Sequence, residues 1–384
     1  MSQTKAQLVS GTTAQNLTVD NINTTSVNNN QASGRKNIII NGGHNIAQRG
    51  TAAVTVTGSA AFRCVDRWKT DIDGSGGGDF SHSQATDVPD GVGLTNSSKI
   101  TVVTQASQPS SEGNRNQLYY QLEKQDVAKL CWGTSSAKAC TLSFYVKGSI
   151  TGTYPMFFQY YGAGGSLYYF TNYTINSANT WERKTINVTG PTTGGTVTGT
   201  MTSVGLRIEW GLGYGSNSET GTLNEWTSSG TVRTASGTVY LPENSGATWF
   251  LTGCQFEIGS TATDFEHRSF GEEFALCKRY FQQYPESASD GFAAFGPVAT
   301  VSTTQAHFAP TFPTMRAAPT VSLSGNSRLV FSSAISVTSL TTFHTSASSL
   351  FLGVNVASGL TSGNAGTFGV DNDTTAKLTF DAEF

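Results

Sequence analysis

The sequence predicts a mostly β fold: an antiparallel β-sandwich, one short helix, and a second small β-sandwich. Three observations lead there. Only 13% of residues are charged and 42 are glycine, yet 11% are aromatic and β-branched residues are common, which suits packed strands rather than disorder. Alternating runs recur at short, regular spacing between Gly/Ser turns, the pattern of a two-sheet sandwich. One stretch departs from that pattern. Phe270, Phe274, Cys277, Tyr280, Phe281 and Tyr284 recur at three- and four-residue steps, behind a capping box of Ser269 and Glu272 and ahead of Pro285.

The 384 residues allow two or three domains. Residues 1–34 hold Leu17, Val19, Ile22 and Val27 among Asn, Thr and Asp, too few apolar positions to bury a core. They are either a disordered tail or a strand ordered only against other copies or another structure. The sandwich is expected over residues 35–268. Lys36–Asn41 reads as a buried strand through Ile38, Ile39 and Ile40, and Gly42 and Gly43 break it. Ala53–Thr57 alternates and Phe62–Trp68 follows. Asp71–Asp79, DIDGSGGGD, lacks the spacing and closing Glu of a calcium loop and reads as a glycine-rich surface loop.

Lys99–Gln105, Gln117–Gln121 and Cys140–Lys147 read as strands. In the last, Leu142, Phe144 and Val146 share one face and Thr141, Ser143 and Tyr145 the other. Tyr154–Tyr161 and Leu167–Ile175 are aromatic strands joined by GAGGS, a hairpin-like connection. Trp181–Val188 and Val204–Trp210 alternate again. Tyr240–Glu257 supplies the last strands, with Phe250, Gly253 and Gln255–Ile258 in a buried one ending at Gly259. The helix is expected over 269–285. From 286 to 384 the β pattern restarts, with strands at Val321–Leu323, Arg328–Phe331, Ala334–Val337, Ser349–Val356 and Leu378–Phe384. Phe292, Phe295, Val298 and Val301 lead into Pro310, Pro313 and Pro319, which mark an edge or linker ahead of these strands.

The net charge of −3 provides no basic footprint for nucleic acid. No apolar run approaches the roughly 20 residues that span a bilayer, so no membrane insertion is expected. The first residues, MSQTKAQLVSGTTAQ, lack an apolar signal core, which implies synthesis in a cytoplasm. Cys64, Cys131, Cys140, Cys254 and Cys277 are odd in number, widely spaced and without a CxxC pair, so buried free thiols are expected rather than zinc. None of His44, His82, His267, His307 and His344 sits in an HExxH arrangement, and no GxSxG or GxxxxGK occurs. No catalytic residue, cofactor or enzymatic activity is therefore expected. Glu209 with Glu225, or Glu272 with Glu273, could be proposed as carboxylate pairs for cutting a polysaccharide, but nothing in the sequence brings either pair together.

Sugar binding is the more plausible chemistry, because sugars are held by aromatic faces together with amide and carboxylate hydrogen bonds. Tyr160, Tyr161, Tyr168, Tyr169, Tyr173, Trp210, Tyr214 and Trp226 sit where strands meet loops, and the competing reading makes them core or subunit interface. Tyr214 and Trp226, in GLGYGSNSETGTLNEW, are the best exposed candidates, with Tyr160 and Tyr161 next. Asp66-Arg67-Trp68 and Glu266-His267-Arg268 read as ion pairs fastening the sandwich to the helix.

Cys254–Tyr284 also carries a resemblance. Gln255-Phe256-Glu257-Ile258-Gly259, Ala262-Thr263-Asp264-Phe265-Glu266, Arg268 and Glu272-Glu273-Phe274-Ala275-Leu276-Cys277-Lys278-Arg279-Tyr280-Phe281 resemble a "QLE-G-ATxFE-R-EL-LC-RYY" run of tail-fibre-like structural proteins of tailed bacteriophages. Arg35–Gly50, RKNIIINGGHNIAQRG, with Asp66-Arg67-Trp68 and the Phe312–Thr320 segment FPTMRAAPT, resemble further pieces of that family in the same order. The resemblance implies a jelly-roll sandwich like those of carbohydrate-binding modules and an extended N-terminal anchor. It implies attachment to other virion proteins through Leu17, Val19, Ile22 and Val27, a homotrimer, and host-surface polysaccharide as a further partner. By fold analogy it also offers Asn41, Asp66 and Glu257 as calcium ligands. The role it implies is a fibre on the virion. A capsid decoration or head-fibre protein binding shell subunits, and a polysaccharide depolymerase, are the alternatives.

Overall fold

Two antiparallel sheets close over a core of rings. In the computed structural model residues 35–384 are described, apart from 59, 74–77, 111–114, 219–221, 231–236 and 287–290. The chain divides into two units, residues 1–36 and 37–384. The anchor positions Leu17, Val19, Ile22 and Val27 lie outside the described residues.

The six-stranded sheet runs β1 (Val54–Val56), β4 (Asp79–Ala85), β5 (Ser97–Thr104), β13 (Thr248–Ile258), β7 (Cys140–Gly148), β10 (Glu182–Val188). The seven-stranded sheet runs β12 (Trp226–Thr227), β9 (Gly165–Ile175), β8 (Gly152–Gly162), β11 (Val204–Tyr214), β6 (Arg115–Glu123), β3 (Trp68–Asp73), β2 (Ala61–Phe62). Every other residue of each inner strand faces the partner sheet. Leu142, Phe144 and Val146 of β7 are wholly buried, as their alternation predicts. Phe144 meets Trp210 of β11 at 5.7 Å, and Trp210 meets Trp68 of β3 at 5.3 Å. The GAGGS connection is a hairpin, with Gly162 opposite Gly165.

Within Lys36–Asn41, Asn37, Ile38, Ile39 and Asn41 are buried, but the segment is not a ladder strand. The Asn37 side chain takes the place of a peptide group beside the bulge in β13. Its Oδ1 accepts from the Ile39 and Phe256 amides, and its Nδ2 donates to the Cys254 carbonyl. A Cβ on Gly42 would overlap the Cys254 carbonyl oxygen, so only glycine fits there.

The motif residues after β13 form a latch. Glu257 accepts from the Thr263 amide and hydroxyl and from Gln255 Nε2, while Gln255 Oε1 accepts from the Glu266 amide. Arg268 reaches back to the Asn37 and Ile39 carbonyls and pairs with Glu266 and Glu273. This is the expected fastening of sandwich to helix. The Asp66-Arg67 half serves a different partner, Arg67 pairing with Glu383.

A short helix absent from the expectation, α1 (Lys124–Ala128), follows β6. The expected helix is α2 (Phe270–Lys278), with Ser269 Oγ accepting from the Glu272 amide at 3.3 Å. It is shorter than 269–285. Phe281–Tyr284 is a strand, β14, paired with β22 (Lys377–Asp381), and that ladder overrides the helical spacing of Tyr280, Phe281 and Tyr284. On α2 itself only Cys277 is buried, and Phe270 is 64% exposed.

The C-terminal sandwich expected over 286–384 is instead a closed barrel with a small sheet beside it. The barrel order is β15 (Ala294–Thr300), β16 (Gln305–Phe308), β20 (Leu350–Val356), β19 (Ala334–Thr345), β18 (Ser327–Val330), β21 (Ala365–Val370). β21 pairs with both β15 and β18, and closure leaves no open edge. β22 lies between β14 and β17 (Thr320–Ser324). Phe308, Leu329, Leu352, Val354, Phe368 and Phe380 fill a second core. The proline segment after β16 carries no strand, as expected of an edge or linker.

Charged contacts join this part to the sandwich. Arg316 donates to the Ala382, Glu383 and Thr202 carbonyls. The Arg67 guanidinium lies 3.4 Å from the Tyr280 ring centroid. All five cysteines are free, and all but Cys131 are buried.

Candidate functional site

The outward face of the seven-stranded sheet carries a row of polar side chains and rings. Strand parity decides what points there. On β11, Leu206, Ile208 and Trp210 belong to the core, so Arg207 and Glu209 face away. The same parity places Tyr119 and Gln121 of β6, Gln159 and Tyr161 of β8, and Tyr168 of β9 on that face. Register makes Gln121, Arg207, Gln159 and Tyr168 direct neighbours across β6, β11, β8 and β9. These four residues and Tyr161 are half-buried and reach solvent. With strands about 4.8 Å apart, the row is ~14 Å long.

Arg207 is the hub. Its guanidinium lies 3.7 Å from the Tyr119 ring centroid, its Nε is 2.7 Å from Glu209 Oε1, and its Nη2 is 3.9 Å from Asp71 Oδ2. Burial opposes its charge, but Glu209, Tyr119, Tyr161 and Asp71 more than offset this and raise its pKa. Burial raises the Tyr161 pKa, so the phenol keeps its proton at neutral pH and remains a donor. Gln117 Nε2 donates to Asp71 Oδ2 at 3.1 Å. Gln159 Nε2 lies 3.4 Å from Ser166 Oγ and 3.5 Å from the Tyr168 hydroxyl. Amide, guanidinium and phenol groups alternating beside ring edges can donate to and accept from a polyhydroxylated ligand.

The sequence candidates divide on this geometry. Tyr161 stands on the face. Tyr160 points into the core, its hydroxyl within donating distance of the Trp132 and Gly195 carbonyls, 2.8 and 2.9 Å away. Tyr214 is 1% exposed rather than on an open loop, because its ring folds over Gly211, where an added Cβ would stand 2.5 Å from it. Its hydroxyl lies 3.3 Å from Gln117 Oε1 and 3.5 Å from Glu209 Oε2. Trp226 is half-buried on the edge strand β12, packed at 5.3 Å against both Trp132 and Tyr169, with Nε1 donating to the Thr189 carbonyl. Tyr160, Tyr214 and Trp226 are thus committed to packing. Arg207, Gln121 and Gln159 were not among the candidates.

The calcium candidates do not form a cage. Asp66 accepts from the Gln48 amide and side chain, Glu257 from Gln255 and Thr263, and Asn41 donates to the Ile46 and Asp66 carbonyls. Their oxygens are satisfied by protein N–H and O–H groups, and no cluster of metal-binding side chains occurs among the described residues. Of the carboxylate pairs, Glu209 is wholly buried against Arg207 while Glu225 is exposed, and Glu273 is held by Arg268 and the Asn41 amide.

A second polar cluster is sealed in the interior. Ser98 Oγ lies 2.8 Å from His44 Nδ1 and 3.1 Å from His82 Nε2, and Cys254 Sγ is 4.0 Å from His44 Nε2. Burial holds the His44 pKa well below its ordinary value and that of His82 at about 3, with Arg63 adding to the latter. Ser98 has no exposed surface, so this pairing is structural.

No protein-family model matches the sequence, and no curated protein matches it. Among solved structures, the enzymatically active domain of tailspike protein 4 from bacteriophage CBA120 is similar over 58% of this chain at 11% identity and a TM-score of 0.30. The match covers 22% of that chain. The family 11 carbohydrate-binding module of a Clostridium thermocellum cellulosomal cellulase is similar at 12% identity and a TM-score of 0.26, covering 57% of this chain and 99% of the module. A tandem pair of CBM22 domains from Paenibacillus barcinonensis Xyn10C is similar at 10% identity and a TM-score of 0.27, covering 87% of this chain and 98% of that one.

Proposed function

We propose that this chain is a virion structural protein of tail-fibre type whose β domains meet glycans on the host surface. The observation that carries the glycan part is the row Gln121, Arg207, Gln159 and Tyr168, with Tyr161 beside it, lying across four neighbouring strands and partly exposed. The virion part rests on the phage-like motifs at Arg35–Gly50, Gln255–Phe281 and Phe312–Thr320. In this reading residues 1–34 attach the chain to other virion proteins, and the assembly is a homotrimer. The work is mechanical and recognitional, and no reaction or cofactor is invoked.

Three measurements test the proposal. Antibody-labelled protein imaged on intact particles should lie at the tail, whereas label on the shell would favour a capsid decoration protein. Light scattering should give the mass of three chains, and a monomer or dimer at micromolar concentration would reject the trimer. For the glycan face, Gln159→Ala with Tyr168→Ala, which leaves the Arg207–Glu209 pair intact, should abolish retention on host polysaccharide while leaving the melting temperature within a few degrees.

A further inference from the structure

The C-terminal barrel carries an exposed ring cluster of its own. β16, β20 and β19 are neighbours, and register places Gln305 opposite Asn355 and Asn355 opposite Ser339. One step along, His307 faces Gly353 and Gly353 faces Thr341. Leu352, Val354, Ala306 and Phe308 point into the barrel, so this other set points outward. A bulge between Thr342 and His344 then re-aims Phe343. Its ring comes to lie over Gly353, where an added Cβ would stand 2.9 Å from it. Phe343, Phe351 and His307 form a triangle with centroid separations of 5.5, 4.7 and 5.4 Å. Phe343 is 47% exposed and Phe351 37%.

Beside the rings runs a polar ladder. Gln305 Nε2 donates to Asn355 Oδ1 at 2.8 Å, and Asn355 Nδ2 donates to Ser339 Oγ at 3.1 Å and Thr341 Oγ1 at 3.0 Å. These bonds fix the amide orientations and leave hydroxyl protons and the remaining amide lone pairs facing out. β16, β19 and β20 contain no Asp, Glu, Lys or Arg, so the surface lacks the charges that would recruit an acidic polymer, a nucleic acid or an anionic membrane.

We infer that this barrel face is a second carbohydrate platform, taking a neutral saccharide whose C–H face stacks on Phe343 and Phe351 while its hydroxyls meet Asn355, Thr341 and Gln305. Flat apolar rings flanked by pre-set neutral donors and acceptors match a pyranose, which has one apolar face and a polar rim. A dry contact between two copies would leave the amide ladder partly unpaired, at a cost. The site is independent of the sandwich face and shares only its ligand class.

The test is native affinity electrophoresis of the full chain in gels containing dextran, galactomannan or xyloglucan. Phe343→Ala/Phe351→Ala is compared with Gln159→Ala/Tyr168→Ala and with all four changes together. The barrel variant is expected to bind about tenfold more weakly in at least one gel. The sandwich variant should keep the barrel's share of the retardation, and the fourfold variant should migrate as in a blank gel. Phe351→Trp should keep the retardation, and Thr341→Val/Asn355→Leu, which spares the rings, should weaken it. A barrel variant retarded like wild type in every gel overturns the barrel site and leaves the sandwich proposal standing. Absence of retardation for the wild-type chain in all three gels also overturns the barrel site. So does a barrel variant that sediments at lower mass than wild type, which would assign the rings to a contact between copies.

Discussion

Arg279 grips Glu123 through two parallel hydrogen bonds, Nε to Oε1 at 3.0 Å and Nη2 to Oε2 at 2.9 Å. Glu123 has no exposed surface, and the Tyr280 hydroxyl adds a third bond at 2.6 Å. The strand end β6 is thereby clamped to the turn between α2 and β14. Removing one partner strands a buried charge, so Arg279→Ala should cost about 3–5 kcal/mol in urea unfolding. Arg279→Met combined with Glu123→Gln should recover much of that. A loss below ~1 kcal/mol in the single variant would show that Glu123 is compensated elsewhere.

The rings on α2 and just after it should behave unequally. Phe270 lies in the open and stacks only on Phe274, whereas Tyr280 is 1% exposed under the Arg67 guanidinium. Phe270→Ala should change stability by no more than about 0.5 kcal/mol, while Tyr280→Ala should cost about 3 kcal/mol or more. Equal melting temperatures for the two variants would contradict this placement.

Stability should fall on acidification through the histidine pair. His44 and His82 are held neutral by burial, so below about pH 6.5 the unfolded chain takes up protons that the folded chain refuses. Asp66 opposes this, since burial raises its pKa to about 6 and the folded state accepts that proton first. Burial also raises the Asp126 pKa, which opposes the loss in the same way, so the slope should stay well below the ~2.7 kcal/mol per pH unit that two refused protons alone would give. Below about pH 4 Asp87 and Glu182, whose pKa values lie under the usual carboxylate range, add to the loss in the same direction. Urea midpoints from pH 7.5 to 4.5 measure the slope, and His82→Gln should reduce it.

Gly42→Ala should destabilise by about 1–3 kcal/mol, because the added methyl group meets a backbone oxygen and cannot be absorbed by a side-chain shift. The neighbouring Gly43→Ala, whose nearest atom would be a Leu94 methyl at 3.5 Å, should be milder. Paired thermal melts decide the point, and equal losses would refute it.

Much of the sandwich was legible because alternation and Gly/Ser turns are local signals. The β8–β9 hairpin and the inward set of β7 follow directly from them. Tyr160 and Tyr161 show what was available but unused: adjacent strand residues point to opposite faces, so the two could not line one site. Tyr214 looked like a loop residue because the register shift after Gly211 is invisible in sequence. Arg207 could not be recognised as a hub, since its partners arrive from β3, β6 and β8 through non-local pairing. The end of α2 was misplaced for the same reason. Tyr280–Tyr284 keeps a helical period, and only the presence of β22 decides for a strand.

β13 sits in the middle of its sheet, with Trp249 opposite Ile100 on one side and Gly148 on the other. Neither neighbour can complete its ladder until Thr248–Ile258 has left the ribosome. Until then the six-stranded sheet exists only as two pieces, β1-β4-β5 and β7-β10, each with an open edge, although all seven strands of the other sheet have already been made. Acquisition of the native state is consequently late and concerted, the slow kinetics that long sequence separation imposes. The nascent chain is most open to mispairing just before this strand arrives.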